Sequence, residues 1–373
     1  MSNLSYSTQC IEQDDIDAAT QVLNGTFLAQ GPKVKEFEDN LCAYTGAKYA
    51  IAFNSATSAL QASYLASGIQ QDDEIITSPI SFVSTSNMMI ECGAIPVWCD
   101  IKEDGNIDED KIEKLITSKT KAIVPVHFAG KPVSLEKIHA LAKKYKLLVI
   151  EDAAHALGSS IYRKKIGSFS DMTIFSFHAI KPITTGEGGA VLTDNEEYAK
   201  HLRLIRSHGM VKKDLWNSDM IELGYNFRMP ELAGALGVSQ LKKLDKFVAL
   251  RWEISSYYDE VFKDETLFST QKIEKNQVSS RHLYPILLDR QLHPHKEKIF
   301  KELQENGLGI QVHYKPIYQN SFYIAKFGKT SLPVADDFYR SEVSIPCHQK
   351  MSLDDAKFVA DTLLKILSKY AQA

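Results

Sequence analysis

The sequence predicts an α/β fold, a mostly parallel sheet with helices on both faces followed by a smaller C-terminal α/β domain. Three observations carry the prediction. Short β-branched runs alternate with segments of helical spacing through the first two-thirds of the chain. The run 147–150 is wholly apolar, as a strand covered on both faces requires. After about residue 250 the alternation gives way to a different pattern.

The strands expected in the first part are residues 49–53, 74–77, 95–99, 122–126, 147–150, 172–175 and 190–192. Between them lie amphipathic helices. In 134–145, Ile138, Leu141, Ala142 and Tyr145 share one face, and Ser134 is placed to cap the start. The second part begins with a helix over 251–262, then a strand at 283–288 and a helix from His295. The chain returns through 309–314 to a last helix that Ser352 and Asp355 open as a capping box and that runs to 367. The expected domains are 1–250 and 251–373. No internal repeat or low-complexity linker separates them.

Composition narrows the function classes. The chain has 373 residues, 44% hydrophobic and 24% charged, enough for a large core and a second, smaller one. A net charge of -4 gives no broad positive field, so no nucleic-acid partner is expected. The short basic cluster Arg163-Lys164-Lys165 reads as a solvated turn. The five cysteines are odd in number, widely spaced and without a C-x-x-C pair, which argues against a zinc site or a disulfide framework. No metal is expected; 103–108 has its glycine in the wrong place for a calcium loop. With no basic-then-apolar leader and no membrane-length apolar run, a cytoplasmic protein without membrane contact is expected. The glycosylation sequons at Asn3 and Asn24 read as chance.

In open parallel sheets, ligands bind beyond the carboxyl ends of strands. Three such ends carry chemistry. At 53–60 a strand leads through a small polar turn into a helix, so Ala56, Thr57 and Ser58 could cradle a phosphate, or Ser55 or Thr57 could simply cap the helix. At 147–157, Asp152 stands just past the apolar strand, where a carboxylate needs a cationic partner or an exit to water. It suits a protonated ring nitrogen or the start of the next helix, and His155 beside it suits a ligand hydroxyl or the core. At 174–190, Lys181 sits in a loop with Pro182 after it and a glycine cluster beyond. A partly buried loop amine keeps a neutral, nucleophilic fraction, whereas a solvated lysine does not.

Together these strings resemble a known family. Asp152-Ala-Ala-His155 followed by Ser176-Phe-His-Ala-Ile-Lys181 is similar to the DegT/DnrJ/EryC1/StrS sugar aminotransferases, of the fold type I pyridoxal-phosphate enzymes. Gln30-Gly-Pro-Lys-Val-Lys-Glu-Phe37, Asn54-Ser-Ala-Thr-Ser-Ala-Leu60 and Ser78-Pro-Ile-Ser-Phe-Val83 extend the likeness forwards. Gly224-Tyr-Asn-Phe-Arg228 and His313-Tyr-Lys-Pro316 extend it to the C-terminal part.

The resemblance implies a homodimer with shared active sites and pyridoxal phosphate as cofactor. In it Lys181 bonds the cofactor and shuttles the proton, Asp152 holds the ring nitrogen, Phe82 stacks on the ring and His155 reaches its hydroxyl. The phosphate is met by the Ala56 and Thr57 backbone, by Ser176 and, from the neighbouring subunit, by Asn226, with Arg228 on a substrate phosphate. Tyr6-Ser7, Asn54-Ser-Ala-Thr57, Lys181-Pro-Ile-Thr-Thr185 and His313-Tyr-Lys-Pro-Ile-Tyr318 resemble members that aminate the 4-keto position of UDP-2-acetamido-2,6-dideoxy-β-L-arabino-hex-4-ulose with L-glutamate. Tyr6, Thr26, Phe27, Leu28, Ala29, His313, Tyr314, Lys315 and Pro316 would then line the sugar-nucleotide site. The Ser176–Lys181 string also occurs in members that make 4-amino-4-deoxy-arabinose on UDP, an alternative it does not decide. Relatives that dehydrate sugars carry histidine in place of the lysine, and a pyridoxal-phosphate-binding regulator would need a helix-turn-helix domain for which no residues remain.

Overall fold

The computed structural model describes residues 4–371. Asn3 of the first sequon lies outside them, and Asn24 is the C-cap residue of the helix Gln13–Leu23.

Seven strands form the main sheet. They are β1 (Tyr49–Phe53), β2 (Glu74–Thr77), β3 (Ile95–Trp98), β4 (Thr120–Val124), β5 (Leu148–Asp152), β6 (Met172–Ser176) and β7 (Gly189–Thr193), in the order β1-β7-β6-β5-β4-β2-β3. β7 runs antiparallel to both β1 and β6, while the pairs from β6 to β3 are parallel. The sheet is therefore mostly parallel with one reversed strand. Its central strands are buried on both faces, which is why they read as apolar runs. Asp152 is the last residue of β5 rather than a residue past it, because its backbone still pairs with Ile174.

The second part holds an antiparallel sheet of β8 (Phe268–Thr270), β9 (Tyr284–Leu288) and β10 (Glu342–Ile345), ordered β8-β9-β10. Its core includes Ile286, Val343 and Ile345, the helix Lys296–Glu305 through Ile299 and Leu303, and the helix Leu353–Ala371 through Val359 and Leu363. The capping box of the last helix is present: Ser352 N donates to Asp355 Oδ2 (2.8 Å) and Asp355 N to Ser352 Oγ (3.1 Å). Ser134 stands at the predicted cap position of Leu135–Tyr145, but with its backbone at φ -70°, ψ 91° its side chain makes no capping bond. The helices Ser321–Phe327 and Pro333–Ser341 and strand β10 lie in a stretch the sequence left as a plain return.

Two features depart from a division at residue 250. The helix expected over 251–262 is Leu244–Val261 and runs through that point. Its Leu244, Phe247 and Val248 enter the core under the main sheet, and its Ile254 and Tyr258 enter the core of the second sheet. The N-terminal residues lie with the second part: Leu4 N donates to Gly307 O (2.9 Å), Gly309 N to Leu4 O (2.7 Å), and the Leu4 side chain packs on the second core. The five cysteines are free thiols. Among the described residues no helix is long and apolar enough to cross a membrane, and no cluster of three or more His, Cys, Asp or Glu is arranged to hold a metal ion.

Candidate active site

The register of the sheet brings the three chemical strand ends together. Gly189, the first residue of β7, pairs with Phe53 at the end of β1 and with Ser176 at the end of β6. A Cβ on Gly189 would stand 2.6 Å from Ala56 Cα and N, so only glycine lets the turn after β1 close onto β7. That turn opens the helix Ala56–Ala66. Ser55 Oγ accepts from Ser58 N (3.1 Å), which caps the helix as the plain reading required. The N–H groups of Ala56 and Thr57, the first two helical residues, still have no intrahelical acceptor and suit an anion. The capping reading holds, and it leaves those two N–H groups open to the cavity.

Lys181 sits in the connection from β6 to β7. Phe177 N donates to Gly188 O and Thr185 N to Phe177 O, each at 2.9 Å, closing the base of the connection, and Lys181 N turns back to His178 O. Ser7 Oγ of the N-terminal segment donates to Ile180 O (3.2 Å) and buttresses it. Burial pulls the Lys181 amine down to about 8; the Asp152 carboxylate opposes this and the Arg251 guanidinium adds to it. Asp152 is buried, with Oδ2 accepting from Thr85 Oγ1 (2.6 Å) and Oδ1 from Ala154 N (3.2 Å). Ser81 Oγ lies 2.8 Å from Thr85 Oγ1 and continues the chain.

These groups face a cavity of about 440 Å3. It is lined by the predicted Tyr6, Ala56, Thr57, Phe82, Asp152, His155, Ser176, Lys181, His313 and Tyr314. Phe82 is 59% exposed and turns its ring into this space rather than the core. His155 Nε2 lies 3.1 Å from the Tyr314 hydroxyl, and its Nδ1 is buried without a partner among the described residues. Burial, and then the nearby Lys181 charge, hold His155 well below the usual imidazole range, so it is neutral. A helix end for an anion, a buried carboxylate for a cationic ring nitrogen, an aromatic face and an amine for an aldehyde share one wall. That set can hold a flat phosphorylated pyridine aldehyde.

Other predicted residues lie outside this cavity in the chain's own fold. Asn226 is exposed, its carbonyl accepting from Asn54 Nδ2 (3.4 Å) beside the turn after β1. Arg228 bridges through its backbone to Phe53 and makes no ion pair among the described residues. Thr26, Phe27, Leu28 and Ala29 form an exposed stretch, Lys315 is exposed, and Pro316 is buried. Sequence reasoning missed His282, whose Nε2 is 3.5 Å from Lys181 Nζ and whose ring centroid is 4.4 Å from that of His155. It also missed Ser81, Thr85, His178 and Glu187. A lone histidine ahead of a strand carries no local signal; it becomes visible only once β9 is placed against the main sheet.

The model of the DegT/DnrJ/EryC1/StrS aminotransferase family matches residues 9–364. The UDP-4-amino-4,6-dideoxy-N-acetyl-beta-L-altrosamine transaminase of Campylobacter jejuni is 52% identical over 369 residues, 98% of each chain. The structure of Helicobacter pylori PseC, an aminotransferase involved in the biosynthesis of pseudoaminic acid, superposes with a TM-score of 0.96 at 44% identity, covering 99% of this chain and 100% of that one. The PLP-form of a Streptococcus pneumoniae protein gives a TM-score of 0.95 at 28% identity over 99% of each chain.

Proposed function

This chain belongs to the DegT/DnrJ/EryC1/StrS aminotransferase family, and on that premise we propose that it moves an amino group from L-glutamate to the 4-keto carbon of UDP-2-acetamido-2,6-dideoxy-β-L-arabino-hex-4-ulose, a step of pseudaminic acid biosynthesis. Aminotransferases of this family use pyridoxal phosphate. The observation that carries the reading for this chain is the cavity wall on which Lys181, Asp152 and the Ala56–Thr57 helix end converge. Bound there, the cofactor supplies an electron sink for the carbon that gains or loses the amino group.

The protein's own residues do the rest. The helix end and Ser176 would hold the phosphate, and Phe82 would offer the ring an aromatic face. Asp152, fixed by Thr85 and Ala154 N, would present its carboxylate to the ring nitrogen. Lys181, with its amine drawn down to about 8, would be the nucleophile for the aldehyde and a base of suitable strength to carry a proton between carbons. Neutral His155 and His282 flank it without adding a competing charge. Tyr6, His313 and Tyr314 form the wall left for the sugar, and Asn226 and Arg228 serve the cavity of the neighbouring subunit in a homodimer.

The test has two parts. Borohydride treatment of the holoprotein fixes pyridoxyl on the peptide that contains Lys181; a label elsewhere defeats the assignment. L-Glutamate is then supplied with the L-arabino acetamido sugar, its D-xylo epimer and the UDP-linked keto-pentose, and 2-oxoglutarate and amino sugar are followed by mass spectrometry. The L-arabino compound should turn over best. Preference for the keto-pentose would select the arabinose-type alternative.

A further inference from the structure

Behind the sugar wall of the cavity lies a chain of buried polar groups that the proposed chemistry does not use. Glu342, the first residue of β10, is fully buried, and Ser344 two residues on is also buried and on the same face. β10 is held against the His313 segment by Ser344 N donating to Gln311 O (2.8 Å) and Gln311 N to Ser344 O (3.2 Å). Glu342 Oε2 accepts from the backbone N–H of His313 (2.6 Å), and Oε1 accepts from the Ser344 hydroxyl. Ser344 Oγ stands 2.8 Å from His313 Nδ1. His313 is buried yet lines the cavity, and its Nε2 has no protein partner among the described residues.

We propose that Glu342 and Ser344 are positioning residues that fix which nitrogen of His313 carries the ring proton, and thereby whether His313 meets the sugar as a hydrogen-bond acceptor or donor. The inference rests on the reading of this cavity as a nucleotide-sugar aminotransferase site. Its logic is the count of hydrogens. A serine hydroxyl has one proton to donate. When it goes to an ionised Glu342, Ser344 can only accept from His313, so Nδ1 bears the hydrogen and Nε2 offers a lone pair to the cavity. When Glu342 takes up a proton on Oε1, that proton points to Ser344 and the Ser344 proton turns to Nδ1. His313 then releases its Nδ1 proton and gains one at Nε2 by exchange with water in the cavity, becoming a donor. The ring stays neutral in both states, since burial draws His313 down to about 3.

The titratable groups acting on Glu342 are Lys296, from the helix Lys296–Glu305, with His313 and Tyr314 on the cavity side. Burial pushes Glu342 well above the usual carboxylate range, against the pull of Ser344, the His313 N–H and Lys296, and burial draws Lys296 down in turn. The carboxyl therefore keeps its proton at pH values where an ordinary glutamate has lost it, and gives it up as pH rises further. The expected polarity is donor at the lower pH and acceptor at the higher.

The experiment is 15N NMR of holoprotein labelled at its histidines, eleven in number, with the His313 signals identified by their loss in His313→Gln. Across a titration from about pH 7 to about pH 9, the wild-type ring proton should pass from Nε2 to Nδ1. Glu342→Gln is isosteric. The His313 N–H demands its amide oxygen, so its NH2 must face Ser344 and lock the Nε2–H form at both pH values. Ser344→Ala should abolish the dependence on pH. In Glu342→Gln at about pH 9, KM for the keto-sugar should change by about tenfold, the worth of one hydrogen bond, while KM for glutamate stays within about twofold. One unchanging His313 tautomer in wild type, or an unaltered inversion in Ser344→Ala, overturns the proposal. Inversion of the tautomer in a protein that aminates none of the keto-sugars would leave the relay standing and remove the substrate reading instead.

Discussion

Lys181 is a surface-like residue by type that the fold sets into the cavity wall. Its nucleophilic form is the neutral one, and burial draws its transition to about 8. Capture of an added aldehyde should therefore be slow at acid pH, rise as pH climbs through about 8, and level off above. Following cofactor capture by absorbance across pH with apoprotein checks the sign; a midpoint near the usual lysine value would contradict it. Asp152→Asn keeps the shape and removes the charge, so amino transfer should slow on the order of 10²–10³-fold with cofactor still bound. Thr85→Val removes only one donor to that carboxylate and should cost about 1.5–3 kcal/mol in the same single-turnover assay. Lys181 and Asp152 were legible because each sits inside a recognisable string. Thr85 and His282 were not, because their contacts reach across 67 and 101 positions and no local pattern encodes them.

At the level of elements, the site depends on where strands end. Gly189→Ala should push the first turn of the helix Ala56–Ala66 away from β7, since the added Cβ meets backbone that cannot swing aside. The variant should fold but lose cofactor on dialysis far faster than wild type, measured by residual absorbance. Unchanged retention would show that the turn has another way to close. The main-sheet strands were legible to within two residues at their ends because burial on both faces leaves only apolar choices. β10 was not, because it opens on Glu342, a residue that belongs inside only when the His313 N–H and Ser344 stand ready to receive it.

The whole molecule joins the two parts at the cavity: Asp152 and Lys181 come from the main sheet, His282, His313 and Tyr314 from the second part. If Asn226 serves the neighbouring subunit, mixing inactive Lys181→Ala with inactive Asn226→Ala chains should restore activity, because one site in each mixed dimer keeps both residues. Absence of recovery after proven subunit exchange would return Asn226 to its own chain. A boundary drawn from a change of pattern cannot see a helix that serves both sides of it. Leu244–Val261 is that helix, and its double duty bears on how the protein melts. Loss of either core strips one end of the rod of its packing and weakens the other, so heating the apoprotein should give one calorimetric peak whose van't Hoff and measured enthalpies agree. Phe247→Ala, which empties a fully buried position at the rod's first half, should cost about 3–5 kcal/mol. It should move that single peak downwards as a whole rather than split it in two.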